Sequence, residues 1–263
     1  MLRELSKIYS LPYEDVENLF LYHYKIPRYH LYLSPHLFPL TEELSFLLKK
    51  RQEGYPIQYL TKTAFFLDYQ LYVDERVFIP RPETEGLVML VERELGKEEI
   101  EKILEIGTGS GNLAIGLARI FPKAKIFATD ISEEALAVAE INIRRYNLGK
   151  RIRLIKSNLF TTSEIRNCSF DFIVSNPPYI PSEEICRLAR EVRDFEPRIA
   201  LDGGEDGFFY IERIIEEGRR FLRRKGRIFL EIDPRHKEKI LALGVNGNFY
   251  RDLAGHIRYA VIS

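Results

Sequence analysis

The chain has 263 residues, of which 45% are hydrophobic, and its 39 basic residues balance its 39 acidic residues. This length allows one large domain or a medium domain with a small one, and the composition is typical of a folded globular protein. Because there is no surplus of positive charge, a broad basic surface for a nucleic acid is excluded, and we expect no direct nucleic-acid partner.

The first ten residues place charges among the apolar positions, where a secretory signal would need an unbroken apolar run. No later segment approaches the length of a membrane span. The two cysteines, Cys168 and Cys186, are too few for a zinc site. We therefore expect a cytoplasmic monomer with no membrane partner and no metal.

Residues 1–62 show helical patterns separated by prolines. The apolar spacing from Tyr13 to Tyr24 predicts one helix. Thr41 is a candidate N-cap for another, because Glu42 and Glu43 follow it in what would be the first turn. We expect a small helical N-terminal domain.

Residues 63–80 change to a β-rich pattern with a turn-like Asp74-Glu75. The apolar positions of this stretch are Phe66, Tyr69, Leu71, Val73, Val77 and Ile79. We predict a β-hairpin around that turn, which would join the two domains.

Residues 81–263 alternate short apolar runs with helical patterns. The runs are KILEIG, KIFATD, RIRLIKS, FDFIVSN and RIFLEID. Helices are predicted to end near Ile120, to run from Ser132 to Tyr146, and to run from Gly207 to Arg224. This rhythm is typical of a parallel sheet covered by helices on both faces, and two closing strands after residue 247 would pair as a hairpin.

The first strand of this α/β region runs into a glycine loop, Gly107-Thr108-Gly109-Ser110-Gly111. Such a loop turns tightly and brings the N–H groups of a helix start toward a ligand, although many glycine loops only turn the chain. Asn112 stands where a dinucleotide-binding loop has its third glycine, so the spacing favours a ligand without a pyrophosphate.

Asp130 ends the second strand, where a carboxylate can accept hydrogen bonds from both hydroxyls of a ribose. The alternative is that Asp130 caps the next helix, but Ser132 already offers a capping hydroxyl. We assign Asp130 and the adjacent Ile131 to a nucleoside pocket.

The fourth strand ends in Asn176-Pro177-Pro178-Tyr179, at the edge where open α/β sheets bind ligands. Pro177 and Pro178 have no N–H, so the Asn176 side-chain oxygen and the Pro177 carbonyl can each accept one hydrogen of a substrate NH₂ group. Tyr179 can stack on a planar substrate. A lone proline-stiffened turn is the simpler alternative.

This pair of acceptors suits methyl transfer to an amide-type nitrogen. The lone pair of such a nitrogen is delocalised, so aligned acceptors must hold both hydrogens and aim the nitrogen at the methyl donor. A nucleoside pocket beside it suits S-adenosyl-L-methionine, with S-adenosyl-L-homocysteine (SAH) as the product. The catalytic residues would be Asn176, Pro177 and Tyr179, and a non-catalytic cofactor-binding module would leave them without a purpose.

Over about residues 55 to 263 the chain resembles the HemK/PrmC-type release-factor glutamine methyltransferases. The resemblance is carried by IPRPETE at residues 79–85, by the glycine loop, by SNPPYI at 175–180, by EP with ALDGG at 196–204 and by the closing DLAG. The NPPY tetrapeptide is also found in nucleic-acid amine methyltransferases, but IPRPETE and the segment from Glu196 to Gly204 are much more specific, and together they select the protein-methylating branch.

The resemblance implies a Rossmann-like, seven-stranded class I methyltransferase sheet behind a helical N-terminal domain that docks the substrate. It implies that residues 107–111 and Asp130 hold the methionine and ribose, that Asn158 and Leu159 lie near the adenine, and that residues 176–179 bind a glutamine amide. The implied partner is a bacterial class 1 peptide-chain release factor with its Gly-Gly-Gln loop.

Other assignments stay open in the sequence. A glutamine of a ribosomal protein would satisfy the same motifs, and so would an exocyclic amine of a nucleic acid, which the neutral charge disfavours. Arg81 is placed on the substrate side, where it could reach substrate or cofactor. The basic residues from Arg219 to Lys225 are predicted to close a helix and face water.

Overall fold

A computed structural model describes all 263 residues of the chain. The first part consists of five helices: α1 (Leu2–Ile8), α2 (Tyr13–Tyr24), α3 (Arg28–Leu33), α4 (Glu42–Gln52) and α5 (Ile57–Leu60). They share an apolar core in which Phe20, Leu44 and Leu48 are fully buried. The Thr41 hydroxyl accepts a hydrogen bond from the Leu44 N–H at 3.1 Å, so the predicted cap of α4 is confirmed.

The segment after α5 forms a short hairpin of β1 (Ala64–Phe66) and β2 (Tyr69–Leu71). The turn of this hairpin lies at Leu67 and Asp68. The prediction that the hairpin turns at Asp74-Glu75 is therefore wrong. The Asp74 carboxylate accepts hydrogen bonds from the Tyr72 hydroxyl and from the backbone and guanidinium of Arg76. These local hydrogen bonds form a turn that does not connect two paired strands.

The remaining residues form a seven-stranded sheet with helices on both faces. Its strands are β3 (Lys102–Ile106), β4 (Lys125–Asp130), β5 (Ile152–Lys156), β6 (Phe170–Ser175), β7 (Leu222–Glu231), β8 (Gly247–Arg251) and β9 (Ile257–Ile262). Its helices are α6 (Pro82–Leu95), α7 (Asn112–Ile120), α8 (Glu133–Arg145), α9 (Ser163–Arg166), α10 (Arg190–Arg193), α11 (Phe209–Gly218) and α12 (His236–Ala242). Among all the helices, none combines the length and apolar character needed to cross a bilayer.

The strand order is β5-β4-β3-β6-β7-β9-β8, parallel from β5 to β7, with β9 antiparallel to both of its neighbours. Helices α6, α7 and α8 pack on one face, and α9, α11 and α12 pack on the other. The predicted α/β class, the parallel sheet and the closing hairpin are confirmed. The domain limits at residues 62 and 80 stay predictions, supported by the separate apolar core of α1–α5.

The predicted helix up to Arg224 is wrong, because α11 ends at Gly218 and β7 begins at Leu222. Gly218 faces Phe160, Ile173 and Ile228 so closely that a Cβ atom would lie 3.1 to 3.2 Å from them. The Arg223 guanidinium then pairs with Asp171 at 2.8 Å on the neighbouring strand. Arg223, Arg224 and Lys225 therefore lie in β7, while Arg219 and Arg220 lie in a short 3₁₀ turn between α11 and β7.

Helix α6 approaches β9 closely at Gly86. The Tyr259 hydroxyl donates a hydrogen bond of 2.7 Å to the Glu83 carbonyl, and a Cβ atom on Gly86 would overlap that hydroxyl. Gly86 thus lets α6 lie against the sheet, and α6 in turn places Thr84 beside the carboxyl ends of β6 and β7.

We expect Gly86→Ala to lower the free energy of unfolding by about 1–3 kcal/mol, because the added methyl overpacks a closed contact. Gly149→Ala is the matched control, since a Cβ atom there has nothing within 4 Å. Urea unfolding of both variants checks this. Equal stabilities would contradict the proposed tight contact at Gly86.

Candidate active site

The main cavity lies at the carboxyl ends of β3, β4 and β6. Its lining includes residues 106–110, 130–132, 157–159 and 175–180. The carboxyl ends of parallel strands meet at one edge, so distant segments of the chain meet there. Every residue predicted for the cofactor or the substrate lines this cavity except Gly111 and Arg81.

The glycine loop is fixed to the end of β4 by its backbone. The N–H groups of Gly107 and Thr108 both donate to the Thr129 carbonyl, at 2.9 and 2.8 Å. Gly107, Gly109 and Gly111 all have positive φ, a region that disfavours other residues. Gly111 itself is the N-cap of α7 and faces Ala139, so it shapes the loop from behind.

Asp130 connects the glycine loop with the start of α8. One carboxylate oxygen accepts from the Gly109 N–H and the other from the Ser132 N–H, both at 2.9 Å. The Ser132 hydroxyl accepts from the Ala135 N–H, so Ser132 and not Asp130 caps α8. Each carboxylate oxygen has a further acceptor position, and Asp130 lines the cavity with Ile131.

Several features of this half of the cavity fit a polar nucleoside-type ligand. The Ser110 hydroxyl is buried with no hydrogen-bond partner in the protein. The position of a Cβ atom on Gly109 is open space. Burial raises the pKa of the Asp130 carboxyl, against the opposing effect of the backbone N–H groups of Ser132, Gly109 and Ile131, as expected for a carboxylate in a binding cleft.

Asn158 and Leu159 form another part of the lining, after β5. The Ser157 hydroxyl donates to the Leu159 carbonyl at 2.8 Å and fixes the local turn. Leu159 is almost fully buried at this turn. An apolar side chain held in this way suits one face of a planar ring.

Residues 176–180, which include the predicted catalytic residues and are called the catalytic segment below, are held by the loop that follows Leu201. The Ile180 N–H donates to the Leu201 carbonyl at 3.1 Å, and the Gly203 N–H donates to the Ile180 carbonyl at 2.8 Å. A Cβ atom on Gly203 would lie 2.7 Å from the Tyr179 Cα. The two segments therefore approach as closely as only glycine allows.

Asn176 presents its side-chain oxygen to the cavity. Its amide nitrogen donates a 2.9 Å hydrogen bond to the Thr84 hydroxyl, and no protein group donates to its oxygen. The side-chain amide of Asn176 therefore makes no hydrogen bond to its own backbone. The Ser175 hydroxyl just before it donates to the Ile106 carbonyl at 2.7 Å, which fixes the end of β6 against β3.

Tyr179 lies beside Asn176 with its hydroxyl 3.3 Å from Glu231 Oε1, to which it donates. Burial first, and the nearby Glu231 carboxylate second, raise the pKa of Tyr179 well above its usual value, so the phenol stays neutral. Sequence reasoning missed both Thr84 and Glu231. Thr84 lies within the IPRPETE segment, to which no role was assigned at that position, and Glu231 was marked only by the acidic end of β7.

Arg81 is not among the residues that line the cavity, and its proposed contact with the substrate stays a prediction. Its guanidinium pairs with the buried Glu196 carboxylate and lies 4.7 Å from the centre of the Phe78 ring. The other Glu196 oxygen accepts from the Ile79 N–H at 3.2 Å. Arg81 therefore joins the 79–85 segment to the loop near residue 196.

Comparison with known proteins agrees with this architecture. Residues 71–191 match the family model described as methyltransferase small domain. A release factor glutamine methyltransferase of Thermosynechococcus vestitus is 41% identical over 240 residues, covering 89% of this chain and 81% of the relative.

Two solved structures share the fold. A ribosomal protein L11 methylase from Lactobacillus delbrueckii subsp. bulgaricus has a TM-score of 0.51 and 25% identity, covering 71% of this chain and 80% of its own. The N-terminal domain of human METTL16 in complex with SAH has a TM-score of 0.51 and 18% identity, covering 73% and 74%.

The seven-stranded sheet, its strand order and the cavity at its carboxyl edge define a class I methyltransferase, which is an enzyme. Within that class the relatives are specific. The chain belongs to the release factor glutamine methyltransferase family.

Glu105 is a fully buried carboxyl beneath the glycine loop. Thr108 donates to one of its oxygens, and the other has no partner. Burial raises its pKa to about 8. At neutral pH the Glu105 carboxyl of the folded protein therefore holds a proton. In the unfolded chain a glutamate has a pKa of about 4.3, so the same carboxyl releases its proton.

We expect the free energy of unfolding of the cofactor-free protein to fall as the pH rises toward 8, because the unfolded chain binds fewer protons than the folded state. The slope from one such group is at most about 1.4 kcal/mol per pH unit. Glu105→Gln should remove this contribution. Denaturant unfolding from about pH 6 to about pH 8 checks it, and equal slopes in both proteins would disprove it.

Proposed function

We propose that this enzyme transfers a methyl group from S-adenosyl-L-methionine to the side-chain amide nitrogen of the glutamine in the Gly-Gly-Gln loop of bacterial class 1 release factors. The observation that carries this is the Asn176 side chain, which lines the cavity next to Pro177, bonds to Thr84 through its nitrogen and has no protein donor on its oxygen. The names of the relatives support the protein substrate.

The residues for the cofactor come from three strand ends. Gly107, Thr108, Gly109 and Ser110 would bind the methionine part, Asp130 and Ile131 the ribose, and Asn158 and Leu159 the adenine. When bound, the cofactor supplies an electrophilic methyl group on a sulfonium. No cluster of metal-binding side chains is present, and the proposed transfer uses none.

The substrate amide would lie between the cofactor and residues 176–179. The Asn176 oxygen and the Pro177 carbonyl would each accept a hydrogen bond from one N–H group of the substrate amide. The lone pair of the amide nitrogen is then directed at the methyl group. Pro178 and Tyr179 form the wall against the flat carboxamide. When the nitrogen gains the methyl group, the sulfur–methyl bond breaks and the nitrogen releases one proton to water, so Glu231, already bonded by Thr84 and Tyr179, is not needed as a base.

The helices α1–α5 would dock the body of the release factor. Their surface exposes large apolar side chains: Tyr29, Tyr32, Leu33, Leu37 and Phe46. Arg51 in α4 pairs with Asp15 at 2.6 Å and with Glu191 of α10 at 2.7 Å, which ties these helices to the region that follows residues 176–180. Substrate bound there is therefore held near the cavity.

Incubation of the enzyme with S-adenosyl-L-methionine and a class 1 release factor should methylate the glutamine of the Gly-Gly-Gln loop. Peptide mass spectrometry locates the methyl group. A release factor with that glutamine changed to Ala is the control and should stay unmodified. Methylation of a ribosomal-protein glutamine in a parallel reaction, with none on the release factor, would refute the proposed substrate.

Asn176→Ala should lower kcat about 100-fold or more, because one acceptor for the reacting amide is lost, while cofactor affinity changes less than about threefold. Asp130→Ala should chiefly weaken cofactor binding. Calorimetric titration with SAH and steady-state kinetics separate these effects. Asp68→Ala, an exposed acidic residue paired with Arg119, is the control; similar losses of SAH affinity in the first two variants would contradict the assigned roles.

A further inference from the structure

Two buried side chains, Thr84 and Glu231, connect Asn176 to the carboxyl end of β7 through hydrogen bonds. The Asn176 amide nitrogen donates to the Thr84 hydroxyl at 2.9 Å, and that hydroxyl donates to Glu231 Oε2 at 2.8 Å. Thr84 and Glu231 are each only 2% exposed. The three residues come from α6, from the end of β7 and from the segment after β6, so only the folded chain brings them together.

The direction of these bonds follows from the chemistry of each group. An ionised carboxylate only accepts, and a hydroxyl has one hydrogen to give. Because Thr84 gives its hydrogen to Glu231, its oxygen can only accept a second bond. Only the NH₂ end of the Asn176 amide can supply that bond, so the C=O end must face the cavity.

The opposite orientation of the amide would fail at both ends. It would place the Asn176 oxygen against the Thr84 oxygen, which are two acceptors without a hydrogen between them. It would also direct an NH₂ group at the substrate NH₂ group. A buried polar group without its partner costs more than the bond itself contributes, so the network selects one orientation.

We propose that Thr84 and Glu231 are positioning residues that set the amide orientation of Asn176, and that Glu231 also orients the Tyr179 ring through its second oxygen. This inference rests on the proposed function for the role of the Asn176 oxygen. Glu231 thereby connects to Asn176 through the Thr84 hydroxyl and to Tyr179 through the hydroxyl of Tyr179 itself.

The surroundings of Glu231 are consistent with a carboxylate held for this purpose. Arg258 faces it from β9 and favours the ionised form, while Glu83 on α6 opposes it. The neutral phenols of Tyr179 and Tyr259 complete the surroundings. Burial, the largest effect, raises its pKa to about 7, and the two hydroxyl donors favour the ionised form.

The test compares three variants in single-turnover methylation of the substrate that the wild type modifies. Thr84→Val keeps the shape and removes the hydroxyl, and should lower the methyl-transfer rate at least about tenfold with SAH affinity within about twofold. Thr84→Ser restores the hydroxyl and should recover most of the rate. Thr63→Val, which removes a half-buried hydroxyl in the linker, is the matched control and should leave the rate unchanged.

A readout without substrate separates this inference from the proposed function. The side-chain amide of Asn176, assigned in NMR spectra by its loss in Asn176→Asp, should exchange its bonded hydrogen at least about tenfold more slowly in the wild type and Thr84→Ser than in Thr84→Val. Equal exchange in all three would overturn the inference, whichever protein is the substrate. An unchanged methyl-transfer rate in Thr84→Val, or an equal loss in Thr84→Ser, would also overturn it.

Discussion

The orientation of one carboxamide decides what the cavity can bind, because an amide presents an acceptor on one side and a donor on the other. With its nitrogen bonded to Thr84, Asn176 turns an oxygen toward the reacting group and adds to the Pro177 carbonyl. Two acceptors match the two hydrogens of a primary amide or an aromatic amine, repel an ionised carboxylate, and are only half satisfied by a hydroxyl group. In the proposed mechanism, the chemical class of the substrate therefore follows from a hydrogen-bond direction that is set by Thr84 in the cavity wall and by the buried Glu231 behind it.

The sheet makes this arrangement rigid. Strands β3, β4 and β6 are parallel neighbours, so the glycine loop, Asp130 and Asn176 leave the sheet at the same edge. Backbone bonds to Thr129 fix the glycine loop, and the close contact at Gly203 fixes the catalytic segment from the opposite side. Positioning of this kind contributes to catalysis because the reacting groups lose little further freedom when the substrate binds.

Carboxyl groups that a purely structural core would avoid lie in and behind the cavity wall: Asp130 lines the cavity, while the buried Glu105 and Glu231 bond to the lining residues Thr108 and Thr84. Glu105, Asp130 and Glu231 all have raised pKa values, and in each case burial is the largest cause. Burying a carboxyl costs stability unless it is protonated or well bonded. Their concentration around one site is typical of function, since the glycine loop and the catalytic segment both depend on bonds that these carboxyls accept.

The sequence by itself determined the features that depend on neighbouring residues: the caps at Thr41 and Ser132, the parallel α/β rhythm, the glycine loop with Asp130, and the proline-stiffened segment after β6. Tertiary packing decided the rest. Gly218 ended a helix that the local pattern continued, Arg81 turned to Glu196, and Thr84 with Glu231 came to direct Asn176. Local patterns record propensity and capping, whereas these partners are distant in the chain and are chosen only when packing brings buried polar groups within hydrogen-bond distance.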